Sequence, residues 1–167
     1  MLLFFWLLFN SSRYALWWVG SVGLCVSLTA LLKIYFYGCP AAGEIRSPSG
    51  HTGFSLLVYG AMTLVTVIHA KGQRRTIGIV IGAGLTLAIA ASRVLLAIHN
   101  LYEVGMGSMV GGVALILFSH GYSQTSRAQV CPLLIAAVIL MAILHGQELH
   151  AEEVLHRITG YLHVSCG

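Results

Sequence analysis

The chain has 167 residues, of which 57% are hydrophobic and only 8% charged, whereas about a quarter are charged in ordinary soluble domains. This composition excludes a soluble globular domain and a disordered chain. The net charge of +4 comes without a block of consecutive basic residues that could follow a phosphate backbone, so a nucleic-acid partner is excluded as well.

Apolar segments close to the roughly 20 residues that cross a bilayer recur along the chain. We predict five transmembrane helices, at residues 14–37, 52–70, 76–98, 104–122 and 131–147. Helices and closed barrels are the two structures that satisfy the backbone in lipid, and these segments lack the strict alternation of barrel strands. The predicted fold class is therefore an all-α integral membrane helical bundle, a single domain over residues 1–167.

Two segments lie outside these five spans. Residues 1–9 are apolar but would reach only about 13 Å as a helix, so this short segment either lies in the membrane interface or is a remnant. Residues 148–167 combine an apolar stripe with charged and histidine positions, which predicts an amphipathic C-terminal tail on the membrane surface. The tail fits either a metal site or, more simply, a solvated polar face. Cys39 and Cys166 could form a disulfide on an oxidising outer side.

The distribution of charge predicts the orientation of the bundle. If successive helices alternate in direction, one membrane face receives five cations and no acidic residue: Arg13, Lys71, Arg74, Arg75 and Arg127. Positively charged loops face the cytoplasm. The opposite face, which receives all five acidic residues, is then the outer one. The expected location is a bacterial inner membrane, with that outer face in the periplasm.

Ionisable side chains near the outer ends of the predicted helices need an explanation, because charge within a membrane is costly. There are five of them: Lys33 on the first helix, His51 at the start of the second, Arg93 near the end of the third, and His99 and Glu103 in the turn before the fourth. An alternating bundle brings these ends together at one face. We therefore predict one site that draws on several helices.

The stretch 46–51, which we call the anion-binding turn, reads R-S-P-S-G-H and leads directly into the second helix. Ser49 can cap that helix, and Gly50 lets an anion approach the backbone. The N–H groups at a helix start favour negative charge. With His51 at its end, the turn combines an anion site with an imidazole.

The second pattern is Arg93, then His99 and, four residues later, Glu103. Four residues make about one helical turn, so Glu103 can accept a hydrogen bond from one nitrogen of His99. The other nitrogen is then left as a nucleophile. Together with the anion-binding turn, this pattern predicts phosphoryl transfer.

These residues resemble the type 2 phosphatidic acid phosphatases of the phosphatase and haloperoxidase superfamily. P-S-G-H at 48–51 matches the second motif of that family, and S-R, five residues and H at 92–99 matches the third. Glu103 stands where the family has aspartate. Lys33 matches the start of the first motif, whose arginine is missing, and Arg46 is our own candidate to replace it.

The resemblance covers about residues 33–122, the phosphatase-like core, and implies a role for each matching residue. His99 attacks phosphorus and becomes a phosphohistidine, His51 protonates the leaving oxygen, and Glu103 orients His99. The phosphate would be bound by Lys33, Ser49, Gly50 and Arg93, to which we add Arg46. This scheme needs no metal and no cofactor. The implied reaction is hydrolysis of a lipid phosphate or diphosphate, and the family's aspartate suggests that Glu103→Asp increases the rate.

The sequence leaves a rival of another class open, and it does not fix the oligomeric state. A non-catalytic lipid-phosphate binder or scaffold of the same fold would also explain the missing arginine and Glu103. Structural alternatives also stand for individual residues: Lys33 as a snorkelling side chain, and Arg93 with His99 as a polar pair that fixes helix packing. Phosphate release from a lipid panel in a metal chelator separates the two. Metal content and an absorption spectrum test a metal or haem protein built on the tail histidines.

Overall fold

The computed structural model of the chain describes residues 12–38, 47–68 and 70–122. Within them the fold is four helices: α1 (Ser12–Gly38), α2 (Gly50–Val67), α3 (Gln73–Leu95) and α4 (Leu101–Gly121). The prediction of an all-α bundle is confirmed. Several predicted features lie outside the described residues: the segment 1–9, Cys39, Arg46, the fifth span at 131–147, the tail at 148–167 and Cys166.

All four helices are long and apolar enough to cross a membrane. The shortest, α2, has 18 residues and measures about 27 Å at a rise of about 1.5 Å per residue, close to the hydrocarbon thickness of about 30 Å. Large apolar side chains are exposed on the outside of the bundle, among them Leu16, Leu87 and Met109. Such an apolar surface is favourable in contact with lipid and unfavourable in contact with water. The chain is therefore an integral membrane protein.

The helices after α1 begin two or three residues before the predicted starts at 52, 76 and 104. The reason is that their first turns carry polar or small residues, such as His51, Arg74 and Glu103, which a hydropathy pattern assigns to the loops. One consequence concerns the site directly. Glu103 lies in the first turn of α4 and not, as expected, in the turn that precedes it.

A left-handed turn ends α3 three residues before the apolar sequence ends. Ala97 has φ 53°, its amide donates to the Val94 carbonyl at 3.0 Å, and the amide of Ile98 donates to the Arg93 carbonyl at 3.1 Å. These two bonds form a Schellman motif, the common way in which a helix ends. The His99 amide donates to the same Arg93 carbonyl at 3.2 Å. The turn thus fixes how far Arg93 and His99 lie apart.

The buried core lies between α1, α2 and α4. It contains Trp18 and Cys25 from α1, Leu57, Ala61, Met62 and Val65 from α2, and Val110, Ala114 and Phe118 from α4. The rings of Trp18 and Phe118 meet edge to face, with centroids 5.5 Å apart, an arrangement that aromatic pairs favour. In contrast, α3 packs mainly against α2 and buries only Gly82. It therefore lies at the edge of the described bundle.

Glycines bring the backbones of α2 and α4 into direct contact near the start of both helices. Gly107 lies against the carbonyl of Ser49, and Gly111 against the carbonyl of Gly53. A Cβ added at Gly53 would lie 2.8 Å from the carbonyl oxygen of Gly107. Gly107 and Gly111 form a GxxxG pair, the pattern that lets membrane helices approach closely. The start of α2 is therefore held directly against the first turns of α4.

Candidate active site

Helix direction brings the ends that carry the predicted site residues to one end of the bundle. There α1 and α3 end, and α2 and α4 begin. The amide of Ser49 donates to the carbonyl of Glu103 at 3.0 Å, which joins the starts of α2 and α4. On the α1 side, a Cβ at Gly50 would lie 3.6 Å from Cγ2 of Thr29, about one helical turn before Lys33.

Glu103 is the central polar group of this end. Its side chain is buried, with an exposed fraction of about 5%. Oε2 accepts hydrogen bonds from Nδ1 of His99 at 2.8 Å and from the amide of Asn100 at 3.2 Å. Oε1 accepts from the amide of Ser47 at 3.0 Å. A single carboxylate thus connects the anion-binding turn with the turn between α3 and α4.

The same carboxylate also caps α4. Asn100 is the N-cap residue, and its side-chain oxygen accepts from the Glu103 amide at 2.9 Å. Because the Glu103 carboxylate accepts in return from the Asn100 amide, the two residues form a capping box, a motif that uses Glu or Gln at this position. A residue of glutamate length therefore suits this helix start.

His99 lies in the turn between α3 and α4, and its side chain is about 10% exposed. An ionised carboxylate can only accept, so Nδ1–H of His99 donates to Glu103. In the neutral ring Nε2 then keeps its lone pair, which is what a nucleophilic imidazole requires. The backbone is fixed as well, because the His99 amide donates to the Arg93 carbonyl. The imidazole is therefore held in one orientation.

The start of α2 is arranged differently from most helix starts. Ser49 occupies the N-cap position, yet its side chain makes no capping hydrogen bond. Instead its hydroxyl accepts from Oγ1 of Thr52 at 3.0 Å, and both side chains are fully buried. The first amide that donates to the Ser49 carbonyl is that of Gly53, at 3.2 Å. The N–H groups of the three residues before Gly53 lie at the start of α2, which is the positive end of the helix dipole.

The other predicted site residues that the structure describes, Lys33, His51 and Arg93, lie at the same end of the bundle. Arg93 is in the last turn of α3, and its Nε is buried without a hydrogen-bond partner in the part of the chain that the structure describes. A buried donor that stays unsatisfied costs about 1–3 kcal/mol, so a bound phosphate oxygen would stabilise it. Lys33, near the end of α1, and His51, in the first turn of α2, are both partly buried.

Three features of the site were not found from the sequence. One is the Ser47 amide, since a backbone donor has no residue signal. Another is the capping box, for which the pattern Asn100-x-x-Glu103 was a readable signal. The third is the hydrogen bond between the side chains of Thr52 and Ser49, which no sequence motif predicted. All three concern how the predicted groups are held rather than which groups are present.

A buried carboxylate that holds an imidazole and also binds the segment before a helix start fits a phosphatase-type site in a membrane protein. The sequence model of the PAP2 superfamily matches residues 33–127, which is more than half of the chain. The chain therefore belongs to the PAP2 superfamily, and the resemblance seen in its motifs is confirmed. No curated protein and no solved structure matches it. Membership supports a phosphatase-type function in general.

Proposed function

We propose that this protein is a membrane-embedded lipid phosphatase that works through a phosphohistidine on His99. The observation that carries the proposal is the 2.8 Å hydrogen bond between Nδ1 of His99 and the buried Glu103 carboxylate. It fixes the tautomer and leaves Nε2 as a nucleophile, as in other imidazoles oriented by a carboxylate. Membership of the PAP2 superfamily supports the same chemistry.

In the proposed reaction Nε2 of His99 attacks phosphorus, and the bond from phosphorus to the leaving oxygen breaks. His51 donates the proton that this oxygen needs. Water then attacks the phosphohistidine, His51 accepts the proton, and phosphate leaves with His99 restored. Glu103 stabilises the imidazole while it carries positive charge. Negative charge on the phosphate oxygens would be stabilised by Lys33, Arg46, Arg93, the Ser49 hydroxyl and the Gly50 amide.

The substrate class follows from where these residues lie. The site is at the ends of membrane-crossing helices, at about the level of lipid head groups, so a lipid phosphate or diphosphate is the proposed substrate. Three exposed cations, Lys71, Arg74 and Arg75, lie at the opposite end, where α3 begins. Cytoplasmic loops are enriched in such residues. We therefore propose that the site faces the periplasm, from a bacterial inner membrane.

The test is phosphate release by the full chain in detergent micelles with EDTA, on a panel that includes phosphatidic acid, a phosphatidylglycerol phosphate and a polyprenyl diphosphate. We expect activity on at least one member and no measurable activity for His99→Ala. Loss of the proton donor in His51→Ala should cost about 10²- to 10⁴-fold. His120→Ala is the matched control, since His120 is exposed at the far end of α4 and should keep wild-type activity.

Further experiments test the mechanism and whether the protein is an enzyme or a lipid-phosphate binder. With an aryl phosphate, whose leaving oxygen needs no proton, the defect of His51→Ala should shrink while that of His99→Ala persists. Brief reaction with a radiolabelled substrate should give an acid-labile label on His99. A wild-type protein that binds lipid phosphates but releases no phosphate across the panel would refute the phosphatase and indicate a lipid-phosphate binder.

A further inference from the structure

Thr52 is a buried polar residue for which the proposed reaction has no use. It lies in the first turn of α2, its side chain has no exposed surface, and its hydroxyl donates to the Ser49 hydroxyl at 3.0 Å. A threonine inside a helix usually donates to a carbonyl of its own helix. Thr29, Thr66 and Thr86 do so in this protein. The hydroxyl of Thr52 is directed to a side chain instead.

We propose that Thr52 is a positioning residue that directs the Ser49 hydroxyl towards the bound phosphate. The inference rests on the proposed function, because it requires a phosphate at the start of α2. A hydroxyl has one proton and two lone pairs. Since Ser49 accepts from Thr52, its own proton is available for a phosphate oxygen. The chain of bonds from Thr52 through Ser49 to the anion is also cooperative, because each bond polarises the next.

Thr52 has a second effect, on the backbone. A serine at the N-cap ordinarily accepts from an amide of the first helical turn, here that of His51 or Thr52. Such a bond would occupy an amide at the start of α2, the end of the helix that favours an anion. The Ser49 side chain does not make it, since its oxygen is engaged by the Thr52 hydroxyl. Without that hydroxyl, Ser49 returns to ordinary capping, which turns its side chain towards the helix amides, so its hydroxyl is no longer directed at the phosphate and it competes with the phosphate for the amides.

The variant that isolates the hydroxyl is Thr52→Val, which keeps the shape of the side chain. We expect phosphate to bind about 2- to 10-fold more weakly, the factor associated with one neutral hydrogen bond, with a smaller change in kcat than in KM. Thr52→Ser keeps the hydroxyl and should restore wild-type binding. Thr66→Val is the matched control, because Thr66 lies on the same helix, far from the site, and donates to the Thr63 carbonyl at 2.9 Å.

The experiment uses the full chain in detergent micelles and two independent measurements. One is the inhibition constant of inorganic phosphate together with kcat and KM on a lipid phosphate. The other is the rise in melting temperature caused by inorganic phosphate, which needs no turnover. We expect Thr52→Val to weaken phosphate in both and Thr66→Val in neither. In a Ser49→Ala background, Thr52→Val should cause no further loss, because Thr52 acts through Ser49.

Each other outcome overturns one of the two proposals or both. If the wild type hydrolyses lipid phosphate but Thr52→Val binds phosphate equally well, the role of Thr52 is refuted and the proposed phosphatase activity is not. Weaker binding by Thr52→Val in a wild type without activity supports Thr52 and refutes the phosphatase. A wild type that neither binds nor releases phosphate refutes both. If Thr52→Val does not fold, Thr52→Ala is compared with Thr52→Ser in the same way.

Discussion

Shortening Glu103 to aspartate removes one methylene from the side chain that joins the two halves of the site. The backbone around it is fixed at both ends, because the Glu103 carbonyl accepts from the Ser49 amide at 3.0 Å and the Glu103 amide donates to Asn100 at 2.9 Å. With the main chain held, the carboxylate withdraws by about 1.5 Å, the length of one C–C bond. The 2.8 Å contact with His99 then exceeds about 4 Å, which is no longer a hydrogen bond.

The size of the effect follows from the contacts that are lost. A hydrogen bond to a charged group contributes about 1.5–3 kcal/mol. At about 1.4 kcal/mol for each factor of ten, loss of the His99 contact alone lowers kcat about 10- to 100-fold. The bonds to the amides of Ser47 and Asn100 are lost as well, which should lower the melting temperature. From these contacts we predict a slower Glu103→Asp variant, which is the opposite of the expectation from family resemblance.

The assay is kcat for phosphate release by wild type, Glu103→Asp and Glu103→Gln at saturating lipid phosphate in micelles. Glu103→Gln is the matched control for length, because its amide oxygen can still accept from the backbone while the charge is gone. It should retain more of the melting temperature than Glu103→Asp and lose activity through the orientation of His99. Wild-type or higher kcat in Glu103→Asp would refute the reasoning, since it would mean that the imidazole is oriented without this bond.

Two further variants test the fold. Gly111→Ala should lower the free energy of unfolding by about 1–3 kcal/mol, as overpacking does, because its Cβ would lie 2.9 Å from Cα of Gly53. The control is Gly105→Ala, which has nothing within 4 Å and should be neutral or stabilising. Equal melting temperatures of the two variants would contradict the close contact. Ala97→Gly should stabilise the protein by about 1 kcal/mol, since Ala97 has φ 53° in the left-handed region that disfavours a Cβ. The control Ala88→Gly, inside α3, should destabilise the protein by a similar amount. A lower melting temperature in both variants would contradict the left-handed turn.

The sequence was informative about the fold because hydrophobicity is nearly all that positions a helix in a membrane. It predicted the four described spans. The predicted helix boundaries were less accurate, because a hydropathy pattern reflects side chains, whereas backbone hydrogen bonds determine where a helix ends. The left-handed turn at Ala97 is an example. Alanine, unlike glycine, gives no sequence signal for it.

For the site, the sequence identified the groups but not how they are held. The spacing from His99 to Glu103 predicted a contact that the structure contains, at 2.8 Å. The partners of Glu103 beyond His99 were not predictable in full, because one of them, the Ser47 amide, belongs to the backbone of a segment far away in sequence. The roles of these residues in catalysis stay predictions. Comparing Glu103 with the family's aspartate by chemistry alone therefore led to an expectation for its replacement opposite to the one that the contacts support, and the kcat of Glu103→Asp decides between them.

The turn at the end of α3 also bears on which changes this protein tolerates. The amides of Ile98 and His99 both donate to the carbonyl of Arg93, so the five intervening residues act as a spacer defined by main-chain geometry. Their side chains are largely exposed on the bundle surface, Leu95 by 83% and Leu96 by 66%. Apart from Ala97, whose φ is 53°, these residues can therefore be replaced by other apolar residues, whereas a single insertion or deletion would change the separation of Arg93 and His99.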